Sequence, residues 1–264
     1  MVRPASERDI GGMLLREQQA MRGLRPIGDG AVVPTFCGPG RAGEEGAGAV
    51  VAVDEFRTIE EGLLATGGRA PFLVPDCREF GVDEARFRGL LAREQAELFG
   101  YDYYRDTEYA MRYVEPLAVL ERLAAGTLDF VIVDAPISGA EEVLPAALRR
   151  RPPDEEGQQY ACCYVLTGAG RVTPFHTDPA FGGGFMHLVD GEKFWWFVDP
   201  ADAPTAALVD RTVTRVLTQD DCHLWGKVRV AHLRAGGFVY TPPGWSHRVC
   251  TYAPSYGLGG YITP

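Results

Sequence analysis

The sequence predicts a mainly β protein with a helix-rich N-terminal part packed around it. Two observations carry this. From Tyr160 to the C-terminus, short runs of β-type residues recur between Gly, Pro and Asp at nearly even spacing, the pattern of a sandwich or barrel. Before that point the apolar residues fall mostly at helical spacing. With 264 residues, 46% of them hydrophobic, the chain can bury one large core or two small ones.

The N-terminal part reads as follows. Residues 6–24 predict a helix capped by Ser6, with Ile10, Met13, Leu14, Met21 and Leu24 near one face, although Gly11 and Gly12 weaken it. Residues 26–48 are rich in Gly and Pro and read as an irregular connector. Val50–Val53 is a short strand. Thr58-Ile59-Glu60-Glu61 has capping-box spacing and opens a helix that ends near Gly67. Pro71–Pro75 is a strand. Asp83–Phe99 is a helix with Phe87, Leu90, Leu91 and Leu98 inward, stopped by Gly100. Tyr101–Tyr104 is aromatic and either lines a cleft or packs on the core. Pro116–Ala125 is a helix with Pro in its first turn, Leu128–Val133 a strand, and Glu141–Arg150 a further helix.

The C-terminal part predicts strands at Tyr160–Leu166, Val172–Thr177, Phe185–Val189, Phe194–Val198, Val213–Leu217, Val228–Leu233, Phe238–Thr241, Arg248–Tyr252 and Gly257–Ile262. Residues 1–48 thus form an N-terminal helix and connector. Residues 49–264 form the main domain, with mixed support over 49–158 and a β core over 159–264.

Charge and cysteine usage narrow the function. The net charge is −10 with no basic run, which argues against nucleic acid as a partner. The six cysteines include no C-x-x-C pair, so a zinc ribbon or redox motif is not expected, and reduced thiols in a cytoplasmic protein are. No signal peptide or membrane span is expected. Arg accounts for all but two of the 26 basic residues, and the Ala, Gly, Arg and Pro content suggests a GC-rich bacterial genome. Lys193 stands out against that background.

The chemistry is concentrated in three blocks. The first is Gly170-Arg171-Val172-Thr173-Pro174-Phe175-His176-Thr177-Asp178. On a strand of period two, His176 and Asp178 project from one face. A further imidazole would complete a 2-His-1-carboxylate set, which suits Fe(II) oxygen chemistry. The second block is Gly191-Glu192-Lys193-Phe194-Trp195. The third runs from Ala235 through Thr241-Pro242-Pro243-Gly244-Trp245-Ser246-His247, where Pro and Gly force a turn that can aim His247. His187, on a strand that could face the cavity, is read as a satisfied core histidine, and His223 and His232 as structural or exposed.

Together the blocks resemble the JmjC-domain (cupin-like) family of Fe(II)- and 2-oxoglutarate-dependent oxygenases. The resemblance spans about residues 50–264 and is specific only within 170–250. It implies a double-stranded β-helix (jelly roll). It implies that His176, Asp178 and His247 bind Fe(II), and that Lys193 pairs with the distal carboxylate of 2-oxoglutarate. Thr173 would share that carboxylate, reaching from one pleat deeper, and Tyr164 is a third candidate there. Gly182-Gly183-Gly184 departs from the family, which often carries Asn in this region.

The implied reaction couples O2 and decarboxylation of 2-oxoglutarate to hydroxylation of an unactivated carbon, or to demethylation where that carbon is an N-methyl. The expected substrate is a protein or peptide side chain. A small-molecule hydroxylase and a non-catalytic cupin-like binding protein are the alternatives. Oligomeric state is left as monomer or dimer.

Overall fold

The computed structural model describes residues 25–27, 31–33, 51–94, 100–101, 116–126, 131–139, 142–153, 161–169, 172–178, 182–201 and 228–264. In chain order these form β1 (Arg25–Ile27), β2 (Ala31–Val33), β3 (Val51–Ala52), β4 (Asp54–Glu55), α1 (Ile59–Thr66), β5 (Phe72–Val74), α2 (Glu84–Arg93), β6 (Gly100–Tyr101), α3 (Pro116–Ala124), β7 (Val131–Pro136), α4 (Ala146–Arg149), β8 (Cys163–Thr167), β9 (Val172–Thr177), β10 (Gly183–Val198), β11 (Val228–Arg234), β12 (Phe238–Thr241) and β13 (Ser246–Ile262). The protein is mainly β, as its sequence predicts. The predicted helix over 6–24 and strand over 213–217 lie outside the described residues. Among the described residues, no helix is long and apolar enough to cross a membrane.

Local chemistry sets the helix ends. Thr58 Oγ1 accepts from the Glu61 N–H at 3.1 Å and starts α1, and Gly67 closes it at φ 59°. Asp83 accepts from the Arg86 N–H at 2.8 Å and starts α2. That helix stops at Glu94, well before Gly100, because Glu94 turns extended. Its carboxylate there accepts from the Ser138 N–H at 2.7 Å and hydroxyl at 3.0 Å. The helix predicted over Glu141–Arg150 shrinks to α4. Pro145 opens it at φ −55° and ψ 151°, and a proline disfavours helix in the residue before it. The connector over 26–48 also needs correction: β1 and β2 pair antiparallel, with Pro26 opposite Val32.

Eleven strands make one mixed sheet. Its spine is β10 and β13, antiparallel from Gly183/Ile262 to Val198/Ser246. Three register shifts between Leu188 and Lys193 divide this pair into two halves. In the first half, Gly183–Leu188 is flanked by β12, and Ser255–Ile262 by β8. In the second half, Lys193–Val198 is flanked by β11, and Ser246–Thr251 by β9. Each spine strand is therefore continuous where the sequence suggests two. Gly191 sits at the break with φ 103°, and a Cβ there would collide with Pro254 O and Ser255 Oγ. Pro254 falls where the pairing skips, so its missing N–H disrupts no ladder bond.

Side-chain alternation builds two cores. Phe72, Phe238, Tyr240, Phe185, Tyr164 and Leu258 face one way, toward residues of the four helices such as Leu63, Phe87, Leu120 and Leu148. Leu73, Val239 and Met186 face the other way and join Trp195, Phe197 and Val249 of the second half. The layers run helices, first half, inner core, second half. The inner core carries the chemistry.

Candidate functional site

His176 and Asp178 stand at the end of β9, and His247 near the start of β13. His176 and His247 are cross-strand partners, with ring centroids 4.3 Å apart and planes at 54°. His176 Nε2 lies 3.5 Å from Asp178 Oδ1, and His247 Nε2 lies 3.9 Å from Asp178 Oδ2. One donor atom from each residue falls within 4.8 Å of the others.

The turn before His247 aims it. The Trp245 N–H donates to Pro242 O at 3.2 Å, with Pro243 and Gly244 between them and φ 78° at Gly244, as a type II turn requires. His247 Nδ1 then meets Trp245 O at 3.4 Å, which leaves the Nε2 lone pair facing Asp178. Burial pushes the His247 pKa down to about 4, so the ring is neutral at physiological pH. Burial also acts to raise the Asp178 pKa, but His247, His176 and a Tyr261 hydrogen bond outweigh it and hold it below the usual carboxylate range. Two imidazoles and one carboxylate on a common point fit a divalent first-row metal ion.

A second group lies deeper on the same inner face. Cross-strand partners share a face, so the rows Phe197/His247/His176, Trp195/Val249/Thr173 and Lys193/Thr251 descend together. Thr173 belongs to them because β9 bulges. Between its pairings with His247 and Val249, β9 advances three residues while β13 advances two. The extra residue falls at Pro174–Phe175, where a proline N–H is absent anyway. Thr173 is therefore on the His176 face and is not one pleat removed from it.

Lys193 is fully buried, and its Nζ donates to Thr167 Oγ1 at 2.9 Å and Thr251 Oγ1 at 3.1 Å. Burial takes its pKa down to about 7. Among the described residues, no carboxylate lies within ion-pair distance of it. A buried ammonium held by hydroxyls alone fits the carboxylate of a bound anion, which would restore its charge.

Sequence reasoning missed Thr167 and Thr251. No sequence motif marks them, and only the register of β8 and β13 brings them to Lys193. Tyr164 needs correction in the opposite sense. It sits on the other face of β8 from Thr167, in the helix-side core, with its hydroxyl on Glu94 Oε1 at 3.2 Å. His187 is likewise on the outer side, stacked on Phe80 at 4.3 Å with Nδ1 at 3.1 Å from Gly237 O. His232 stacks on Phe194 and bonds Glu192. His223 lies outside the described residues.

The Gly182–Gly184 run is explained by close approach. A Cβ at Gly182 would lie 2.7 Å from Ile262 O, one at Gly183 would strike the Tyr240 ring, and one at Gly184 would lie 2.7 Å from Asp178 Oδ2.

The fold and the donor set thus define a mainly β protein with a metal-type cluster above a buried cation. No family model matches the chain. Over 99 residues it is 32% identical to the JmjC domain-containing histone demethylation protein 1 of Yarrowia lipolytica, covering 35% of this chain and 19% of that protein. The chain spans about a fifth of the length of this curated relative, and the match supports a JmjC-like relationship.

Proposed function

We propose that the chain is a JmjC-type Fe(II)- and 2-oxoglutarate-dependent oxygenase on a double-stranded β-helix (jelly roll). Its proposed reaction is hydroxylation of an unactivated carbon in a protein or peptide side chain. One observation carries this reading. A buried lysine with no counter-ion among the described residues shares an inner face with a His-Asp-His cluster. The two halves joined through β10 and β13 support the jelly roll, and the JmjC-like match supports the class.

His176, Asp178 and His247 would hold the iron, and Lys193 with Thr167, Thr251 and Thr173 would hold the distal carboxylate of 2-oxoglutarate. Bound together, the two supply O2 activation coupled to oxidative decarboxylation. The chain's own residues do the rest. Trp245 O fixes the His247 tautomer. Lys193 and its threonines orient an acid group by charge-assisted hydrogen bonds. Trp195, Phe197 and Val249 wall the inner face with apolar surface and exclude water.

His176 remains 39% exposed, so the cluster opens toward the surface, where a side chain on a larger partner can reach it. Demethylation is a second reading, favoured by the name of the Yarrowia protein. The same hydroxylation at an N-methyl carbon releases formaldehyde.

A panel of peptides, N-methylated peptides and small metabolites, incubated with Fe(II), 2-oxoglutarate and O2, tests this by mass spectrometry. Gain of one oxygen on a peptide supports the proposal, formaldehyde supports the second reading, and turnover of metabolites alone overturns the peptide assignment. Lys193→Ala should raise the KM for 2-oxoglutarate by at least about tenfold, the loss of one charge-assisted hydrogen bond. An unchanged KM removes Lys193 from the site.

A further inference from the structure

We infer that Tyr261 and Gly184 form a positioning clamp on Asp178, holding its carboxylate in the place from which it would bind metal. This rests on the metal reading above and adds two residues to it. Asp178 extends from just past β9, in the second half of the sheet. Gly184 and Tyr261 are opposite each other on β10 and β13, in the first half. The Tyr261 hydroxyl donates to the Asp178 carboxylate. The ideal Cβ position of Gly184 lies 2.7 Å from Asp178 Oδ2 and 3.7 Å from Tyr261 Cε1. The carboxylate therefore fills space that any side chain at 184 would take.

The clamp comes from the half of the sheet that supplies none of the three donor residues. It ties the end of β9 across the inner core. The phenol hydrogen bond and the close packing against Gly184 together fix the orientation of the Asp178 carboxylate. Partners that orient a metal-binding carboxylate typically change metal affinity by about 10–100-fold when removed.

The test is a Co(II) titration of the full chain, read by visible ligand-field absorption, with thermal unfolding of the metal-free protein beside it. Tyr261→Phe keeps the ring and loses only the hydroxyl. Its Co(II) affinity should fall about 10–100-fold while the metal-free unfolding midpoint stays at the wild-type value. Gly184→Ala should also weaken Co(II) binding, because the added methyl displaces Asp178. Wild-type affinity in either variant overturns the inference, and so does a lowered midpoint with affinity unchanged. Absence of Co(II) binding by the wild-type protein, with His176→Ala indistinguishable from it, instead overturns the metal reading itself.

Discussion

Lys193 sets a conflict within one residue. Its stem and ammonium are fully buried, yet its partners are two neutral hydroxyls. The folded pKa is about 7 against an ordinary value of 10.5. Below pH 7 the lysine is charged in both folded and unfolded chains, and the burial penalty is fully present. As pH rises through 7, the folded chain releases a proton that the unfolded chain keeps until about 10.5. Lys193 therefore makes the ligand-free protein gain stability between those values. Lys193→Met should be more stable than wild type by about 1–4 kcal/mol at pH 7, and its advantage should shrink as pH rises from 7 toward 10.5. Urea unfolding across that range checks it. A variant less stable at pH 7 would show that the lysine is not a site of stored cost. The identity of this residue was legible from the sequence, because it is one of two lysines in an Arg-rich chain. Its partners Thr167 and Thr251 were not, since threonine is an ordinary strand residue and their meeting depends on strand register.

The elements show where periodicity stops informing. β9 and β12 match their predicted limits, and β12 has a turn on each side of it. β10 and β13 do not, because Gly191 and Pro254 look like chain breaks and serve instead as accommodations within a shifted ladder. The bulge in β9 is equally hidden. Strict alternation places Thr173 opposite His176, and the one extra residue reverses that. The helix α2 ends early for a tertiary reason, the pull of Ser138 on Glu94. A prediction follows at Gly191. Gly191→Ala meets both a positive φ and the backbone of β13, so it should destabilise by about 1–3 kcal/mol, measured by urea denaturation. A neutral effect would mean that the bend relaxes freely.

For the whole molecule, the two halves are not separable units. β10 and β13 run through both, and strands β3 to β7 of the N-terminal part extend the same sheet. The inner core draws on both halves at once. Unfolding should therefore be a single transition. Far-UV circular dichroism follows the sheet throughout, while fluorescence follows the four tryptophans, Trp195 and Trp245 of the inner core among them, and the two curves should coincide. Two separated transitions would contradict the shared spine. The mainly β class was legible because short β-type runs recur between Gly, Pro and Asp, a signal that survives where both faces of a strand are buried. The layering was not, because it depends on which face of each strand meets the helices.

The central claim is that the His-Asp-His cluster and Lys193 form one catalytic centre. Its most direct test is succinate formation from 2-oxoglutarate under O2 with added Fe(II), comparing wild type with folded His176→Ala. The wild-type protein should produce succinate, and His176→Ala should lose essentially all of it. Equal succinate from both, or none from iron-loaded wild type across the substrate panel, would contradict the account.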